Sequence, residues 1–290
     1  MRIIFVGTSA FAVPTLKALA AAGHDIPVVI TQPDRPAGRG LELREPPVKP
    51  AARELGLAME QPARIRDPEA IARLRAVAPD AIVLAAYGQI LPREVLGIPR
   101  LGPINLHASL LPRHRGPAPI AWAILEGDKV TGVSVMRMEE RLDTGPVYAQ
   151  QQVPIATEDT VESLEGQLAE AGAQLMAATL PRIEAGLKPE PQPDAGVTYA
   201  RRLTTDDGRL DLTALSAIEV DRRVRALNPD PGVWIDVAGR SVRLLRGHVP
   251  GSAAAPGLEV MTASGRYVVE IVQPPGKQAM PVDAFLRGVR

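Results

Sequence analysis

The first half of the chain alternates short apolar segments with segments of helical periodicity, and this pattern limits the possible folds most strongly. Each apolar segment is five or six residues long. Strands that are apolar at successive positions are buried on both faces, as in parallel sheets covered by helices. The sequence therefore predicts an α/β domain with a mainly parallel sheet. The predicted strands are 2–6, 26–31, 81–86 and 103–108, and the predicted helices include 51–57 and 69–76.

The next segments predict the edge of this sheet and a long helix. Residues 132–138 and 147–153 alternate more clearly between apolar and polar side chains, which indicates strands nearer an edge. Apolar residues then recur at helical spacing from Val161 to Ile183, with Thr160 as the expected N-cap and Gly186 beyond the end.

A proline-rich segment, LKPEPQPDAG, predicts a domain boundary. Pro189, Pro191 and Pro193 cannot continue a helix or a central strand. We therefore expect a first domain over 1–188, an extended linker over 189–203 and a second domain over 204–290. That last part contains a capping box, Ser216 to Glu219, and closely spaced short strands, which predict a small β-barrel. Its predicted strands are 232–237, 241–248, 257–262 and 266–272, with a closing helix over 281–286.

Composition excludes several classes of protein. The 290 residues are 46% hydrophobic, the formal net charge is zero and there is no cysteine. Disulfides and thiolate chemistry are thereby excluded, and a cytoplasmic location is expected. No segment approaches the roughly 20 apolar residues of a membrane span.

Polar residues interrupt the fourth predicted strand in the segment INLHASLLP. Side chains alternate along a strand, so Asn105, His107 and Ser109 would share one face. Ligands of open α/β sheets bind beyond the carboxyl ends of the strands. We therefore expect Asn105 and His107 to point into a binding crevice, although burial against backbone groups is the alternative.

The sequence EERLDTG follows the predicted strand 132–138 and offers a carboxylate to orient His107. Asp143 is that carboxylate, and a plain turn is the alternative explanation of Asp143-Thr144-Gly145. Asn, His and Asp together suit acyl transfer to an amine, where donors stabilise an oxyanion and a base removes a proton.

Other types of site lack their motifs. The segment GTSAF after the first strand is not the G-x-G-x-x-G of dinucleotide sites, and neither a phosphate-binding loop nor a nucleophile elbow is present. The four histidines, His24, His107, His114 and His248, have no metal-ligand spacing, so no metal is expected.

Basic residues occur in two places that could meet a polyanion. The long Pro/Gly-rich loop 31–49 is either a disordered connection or a binding lid. After residue 203, eleven Lys/Arg stand against ten Asp/Glu, so only clustering would make this domain a nucleic-acid module. The alternative for the clusters is a solvated surface. The basic residues of the loop are Arg35, Arg39, Arg44 and Lys49, and the clusters are Arg222, Arg223 and Arg225, and Arg240, Arg243 and Arg246.

Five segments carry a resemblance to a known family. They are FVGTSAFAVPTL, TQPDRPAGRG, AAYGQILP, GPINLHASLLPRHRGPAPI and RLDTGPV. The chain resembles the folate-dependent formyltransferases over essentially its whole length, and TQPDRPAGRG with the appended β domain makes it similar to the methionyl-tRNA formyltransferase family.

The resemblance implies a Rossmann-like N-terminal domain and an OB-like C-terminal barrel. It implies that Asn105, His107 and Asp143 are catalytic and that 10-formyltetrahydrofolate is the formyl donor. Donor-binding residues would come from two segments. These are Ser109, Leu110, Leu111 and Pro112, and Tyr87, Gly88, Gln89, Ile90 and Leu91.

The implied acceptor is the α-amino group of methionine on initiator methionyl-tRNA, giving the N-formylmethionyl-tRNA of translation initiation. The loop 31–49 would contact the acceptor stem, and Arg222, Arg223 and Arg243 would contact the tRNA backbone. A cytoplasmic monomer without a membrane partner is expected.

Alternatives and departures remain open. The same chemistry could serve glycinamide ribonucleotide or an amino sugar, water could accept the formyl group, or the chain could bind RNA without chemistry. Ser9-Ala10 stands where the family usually has Pro-Asp, and His114 replaces the usual Tyr or Trp. Both departures concern the acceptor side.

Overall fold

A computed structural model describes residues 1–37, 42–251 and 257–289, which form two compact units. The first comprises Met1–Gly116, Val130–Pro154 and Glu165–Tyr199. The second comprises Pro117–Lys129, Ile155–Leu164 and Ala200–Arg290. The boundaries expected from the proline-rich segment stay a prediction.

Strands and helices alternate along the first part of the chain, as predicted. The elements up to residue 184 are β1 (Arg2–Gly7), α1 (Ala12–Ala21), β2 (Asp25–Ile30), β3 (Arg35–Ala37), β4 (Glu42–Arg44), α2 (Val48–Glu54), β5 (Met59–Glu60), α3 (Pro68–Val77), β6 (Ala81–Ala85), α4 (Arg93–Leu96), β7 (Pro103–His107), α5 (Pro119–Glu126), β8 (Val130–Arg137), β9 (Val147–Pro154) and α6 (Val161–Glu184).

The main sheet of the first unit has seven strands in the order β5-β2-β1-β6-β7-β8-β9. The strands from β5 to β7 are parallel, whereas β8 runs antiparallel to both β7 and β9. This confirms the mainly parallel, Rossmann-like sheet. The strand β9 lies at the edge and is partly exposed, as its alternating sequence predicted.

The central strands are buried on both faces because helices and loops cover each side. Every residue of β6 and β7 is buried. On one face, Ile4, Ile82 and Leu84 pack with Leu74 of α3 in a single apolar cluster. Burying a Leu or Ile side chain stabilises a fold by roughly 1.5–3 kcal/mol, so this apolar core is a main source of stability.

The start of α6 and the end of β7 each test a prediction made from the local sequence. Thr160 caps α6, because its Oγ1 accepts a hydrogen bond from the Ser163 amide at 3.2 Å. The row of polar residues on β7 is shorter than predicted. The alternation placed Ser109 on the face of Asn105 and His107, but β7 ends at His107 and residues 111–114 form a turn.

The second unit contains the antiparallel sheet that the closely spaced strands predicted. Its capped helix is confirmed, since Ser216 and Glu219 exchange the hydrogen bonds of a capping box. The sheet order is β10-β11-β13-β12, with β14 on β13, and irregular pairing between β11 and β13 favours the curvature of an OB-like barrel. Its elements are α7 (Ala217–Leu227), β10 (Trp234–Val237), β11 (Arg240–His248), β12 (Leu258–Met261), β13 (Arg266–Gln273), β14 (Met280–Pro281) and α8 (Val282–Arg287), preceded by a 3₁₀ turn (Thr205–Gly208).

Across the described ranges, no helix combines the length and the apolar character that crossing a bilayer requires.

Candidate active site

Asn105 and His107 lie on the same face at the end of β7, as the alternation of the strand predicted. Asn105 is level with Leu84 of β6, and His107 is level with Ser134 of β8. Both side chains are only 6% exposed. Buried polar groups need hydrogen-bond partners, so the groups around these two side chains decide which of their atoms remain free to bind a ligand.

Asp143 reaches His107 by a different route from the one expected. The strand β8 is antiparallel to β7, so its C-terminal residue, Arg137, lies beside Ile104 at the start of β7. The loop 138–146 then carries Asp143 back to His107, where Oδ1 of Asp143 is 3.8 Å from Nδ1 of the ring. The two side chains do meet, although not because their strands end at one edge.

Backbone groups hold both members of this pair. His107 Nε2 is 2.9 Å from the carbonyl oxygen of His114. A carbonyl only accepts, so Nε2 carries hydrogen and Nδ1 faces Asp143. On the other side, the Gly116 amide donates to Oδ2 of Asp143 at 2.8 Å. The gap of 3.8 Å between Nδ1 and Oδ1 exceeds a direct hydrogen bond.

Asn105, two residues before His107 on β7, carries an unpaired polar atom. Its Oδ1 is buried and has no hydrogen-bond partner within the described ranges. An unsatisfied buried oxygen of this kind costs about 1–3 kcal/mol. Such groups require an explanation, and a ligand that completes the hydrogen bonding of the amide is one.

The segment 109–112, which the sequence associated with the donor, is held by hydrogen bonds to its backbone. The Ser109 hydroxyl donates to the Arg113 carbonyl at 2.6 Å. Ser134 Oγ donates to the Ser109 carbonyl at 2.6 Å, and Gln150 donates to the Leu111 carbonyl at 2.9 Å. Since these polar groups are already used, the partly exposed side chains of Leu110 and Pro112 are what the segment can offer a ligand.

The second donor-associated segment, 87–91, turns two of its side chains into the core. Tyr87 and Leu91 belong to the apolar cluster beneath the sheet, and burial raises the pKa of Tyr87 to about 12. Gly88 has φ +85°, which favours glycine, and Ile90 is 83% exposed. The Gln89 side chain binds the backbone of residues 63 and 65. The backbone of 88–90 is therefore the part available to a ligand.

Residues 35–37 and 42–44 of the basic loop 31–49 form a two-stranded ribbon, with Arg35 paired to Arg44. Arg35 donates to the side chain of Gln32 at 2.9 Å. Lys49 lies 2.7 Å from Asp34, and this hydrogen bond raises the pKa of Lys49. Arg35 and Arg44 are both exposed, whereas the side chain of Lys49 is largely buried in its ion pair. Arg39 lies outside the described residues.

The C-terminal arginines associated with tRNA all contact their own unit. The Arg222 guanidinium lies against Gly127 at the end of α5, and that of Arg243 lies against Gly232. Arg223 donates to the Asp207 carbonyl at 3.3 Å. Arg222 also lines a cavity of about 830 Å³ in the second unit.

Two residues support this site although the sequence did not indicate this role. They are His114, in the turn after β7, and Gln192, in the proline-rich segment. His114 is buried, supplies the carbonyl for His107, and its amide donates to Oγ1 of Thr198 at 2.8 Å. Gln192 binds the loop of Asp143. These contacts span tens of residues along the chain and follow no periodicity, so no local pattern could reveal them.

Gly145 allows this loop to pass close to β8, and its replacement is a first test of the geometry. A Cβ at this position would overlap the Arg137 carbonyl oxygen. We expect Gly145→Ala to lower the free energy of unfolding by about 1–3 kcal/mol and to speed hydrogen exchange of the Gly116 amide. Gly166→Ala is the control, because a Cβ there has no neighbour within 4 Å, and this change on exposed α6 should stabilise the fold. Unchanged exchange at Gly116 would contradict the arrangement.

Family models match both parts of the chain. The model described as formyl transferase matches residues 1–180, and the model described as formyl transferase, C-terminal domain, matches residues 202–290. A protein of Halorhodospira halophila named methionyl-tRNA formyltransferase is 48% identical over 301 residues, covering 100% of this chain and 96% of that protein. A protein of the same name from Ruegeria pomeroyi is 44% identical over 294 residues, covering 99% and 97%.

Solved structures share the fold at low sequence identity. HypX from Aquifex aeolicus, in complex with tetrahydrofolic acid, has a TM-score of 0.69 and 19% identity, covering 100% of this chain and 47% of HypX. WlaRD, a sugar 3N-formyl transferase studied in the presence of dTDP and 5-N-formyl-THF, has a TM-score of 0.70 and 16% identity, covering 96% and 99%.

Both family models and the full-length relatives indicate the same family. The chain belongs to the formyl transferase family, in the group of the methionyl-tRNA formyltransferases.

Proposed function

We propose that this enzyme transfers a formyl group from 10-formyltetrahydrofolate to the α-amino group of methionine on initiator methionyl-tRNA. The product, N-formylmethionyl-tRNA, serves translation initiation. The observation that carries this proposal is that Asp143 lies 3.8 Å from His107, two residues after Asn105 on β7, in a chain that is 48% identical to a methionyl-tRNA formyltransferase along its whole length.

The residues around the trio fit a folate formyl donor. The amide oxygen of Asn105, two residues before His107 on β7, is buried and has no partner among the described residues, so this part of the protein does not fully satisfy the amide. The half-exposed side chains of Leu110 and Pro112 and the backbone of 88–90 would hold the aromatic part of the donor. When bound, 10-formyltetrahydrofolate supplies a formyl carbon that becomes bonded to the amine while its bond to the folate nitrogen breaks.

Asn105 would stabilise the charge that develops on the formyl oxygen. Its amide N–H groups are fixed on the end of a buried strand, so they need no reorganisation during the reaction. Donors placed in this way contribute about 3 kcal/mol to the stability of the transition state.

His107 and Asp143 would hold and move the proton that the amine loses. Nδ1 of His107 accepts that proton, since Nε2 is engaged with the His114 carbonyl. The carboxylate of Asp143 stabilises the imidazolium so formed, and the proton is then available to the departing nitrogen.

The tRNA would be held mainly by charge. Arg44 is exposed on the ribbon of loop 31–49, and Arg35 is fixed beside it through Gln32. In the C-terminal unit, Arg222, Arg223 and Arg243 would contact phosphates through the parts of their side chains that remain accessible. Lys49 would support the loop through its ion pair with Asp34, while Arg39 would add a further cation. We also propose that the enzyme acts as a cytoplasmic monomer.

An acceptor-competition experiment tests the function. Purified enzyme with 10-formyltetrahydrofolate is offered initiator methionyl-tRNA, glycinamide ribonucleotide and an amino sugar nucleotide, separately and together. We expect formyl transfer to methionyl-tRNA alone, with a rate that falls as salt is raised because phosphate contacts weaken. Formylation of either small amine at a comparable rate would favour the alternative acceptor, and formate release without acceptor would favour hydrolysis.

A further inference from the structure

Gln192, in the proline-rich segment, has every hydrogen-bonding group of its side chain engaged. Its Nε2 donates to the carbonyl oxygens of Asp143 at 2.8 Å and Gly145 at 2.7 Å. Its Oε1 accepts from Nε and Nη2 of Arg115 at 3.0 and 2.7 Å. An amide has two donor hydrogens and two acceptor lone pairs, so this set is complete.

These bonds close a ring of three chain segments around Asp143. Gln192 binds the Asp143 carbonyl, the Asp143 carboxylate accepts from the Gly116 amide at 2.8 Å, and Arg115, next to Gly116, returns to Gln192. The ring therefore fixes both the backbone and the side chain of Asp143 from opposite sides.

The segment that carries Gln192 is itself anchored on both sides. Glu190 exchanges two backbone hydrogen bonds of 2.8 Å with Val147, the first residue of β9. The Thr198 carbonyl accepts from the Arg115 amide at 2.9 Å. Gln192 thus has a fixed base from which to hold the loop, which an unanchored linker would lack.

The loop needs such support because Asp143 has an unfavourable backbone conformation. Its φ is +51°, in the left-handed region. Non-glycine residues there cost about 1–2 kcal/mol, so the surrounding contacts must maintain the conformation. Gln192 supplies two of these contacts, because it donates hydrogen bonds to the backbone carbonyls of Asp143 and Gly145.

We infer that Gln192 is a positioning residue for formyl transfer, which holds the carboxylate of Asp143 against His107. The inference rests on the proposed function. Gln192 does not touch the reacting atoms, so it acts through Asp143 alone. A displacement of about 1 Å in a group that acts on the reacting atoms can lower a rate roughly 100-fold.

The test uses Gln192→Glu in the full-length enzyme. The carboxylate keeps the contact with Arg115, so the linker stays in place, but it presents oxygen to the two carbonyls that Gln192 now binds. We expect kcat to fall roughly 100-fold while KM for the donor and for methionyl-tRNA changes less than twofold. We also expect faster hydrogen exchange of the Gly116 amide, which reports the Asp143 contact without substrate. Gln192→Ala, which removes the side chain, should behave alike.

A control variant and a double variant test whether Gln192 acts by positioning Asp143 or only by stabilising the surrounding segment. Glu190→Gln alters an exposed side chain of the same segment and leaves its backbone bonds, so wild-type kcat is expected. In an Asp143→Asn background, Gln192→Glu should cost less than threefold, because the group it positions is already gone. Wild-type kcat in Gln192→Glu, an effect on KM alone, or an equal loss in both backgrounds would overturn the inference. Wild-type enzyme that forms no formylmethionyl-tRNA would instead overturn the proposed function.

Discussion

Asp143→Asn is expected to lower the single-turnover rate of formylation by roughly 100- to 10,000-fold, the contribution of a positioned acid–base pair. The reason lies in the two oxygens of the carboxylate. One accepts the Gly116 amide at 2.8 Å, and the other faces Nδ1 of His107 at 3.8 Å. An asparagine can keep the first contact, but it places no negative charge beside the ring. The imidazolium that forms when His107 takes the proton of the amine would then lose its stabilisation.

The choice of Asn separates chemistry from folding. Asn tolerates the left-handed φ of +51° at this position better than Ala does, so the variant should fold and melt like the wild type. Glu140→Gln is the matched control, because Glu140 is an exposed acid on the same loop whose contact is an ion pair with Arg93. A single-turnover rate near that of the wild type in Asp143→Asn would remove the carboxylate from the mechanism.

Asn105→Leu is expected to abolish most activity while making the protein more stable. Loss of the donor to the formyl oxygen should lower the single-turnover rate roughly 100- to 1,000-fold. The amide oxygen is buried and unpartnered within the described residues, so its replacement by an apolar side chain of similar size should raise the free energy of unfolding by about 1 kcal/mol. Denaturant unfolding and quenched-flow formylation of the same preparation measure the two effects.

A second variant at this position separates the effect of the N–H group of Asn105 from the effect of the size of its side chain. Asn105→Asp keeps the size of the side chain but has no N–H group, and it buries a carboxyl group in a strand whose residues are all buried. We expect it to lose activity as Asn105→Leu does and to lose stability instead of gaining it. If Asn105→Asp retained activity, or if Asn105→Leu destabilised the fold, the amide would not have the role proposed for it.

Local patterns predicted the elements well and their ends less well. The two-residue alternation correctly placed Asn105 and His107 on one face, because that period is a property of any strand. The same alternation wrongly extended the strand to Ser109. The strand β7 ends at His107, since the chain there turns to bring the His114 carbonyl to the imidazole. A turn that is stabilised by contacts outside its own segment has no local signature.

The sequence offered Asp143 as the carboxylate that orients His107, but it could not show how the two residues meet. The sequence of β8 does not state its direction, and an antiparallel β8 places its end away from His107. The pair forms because loop 138–146 returns and is fixed by the Gly116 amide and by Gln192. A segment that the prolines identified only as extended is thus part of the support of the site.

The sequence alone determined the alternating elements and, through the resemblance of its motifs, the family, and it predicted a domain boundary and candidate catalytic residues. These inferences depend on the spacing of residues along the chain and on the chemistry of short motifs. The tertiary structure decided which nitrogen of His107 faces Asp143, how near Asp143 approaches it, that the amide oxygen of Asn105 has no partner among the described residues, and that Lys49 pairs with Asp34. Each of these depends on atoms brought together from distant parts of the chain, and only the packing of the whole fold sets such distances.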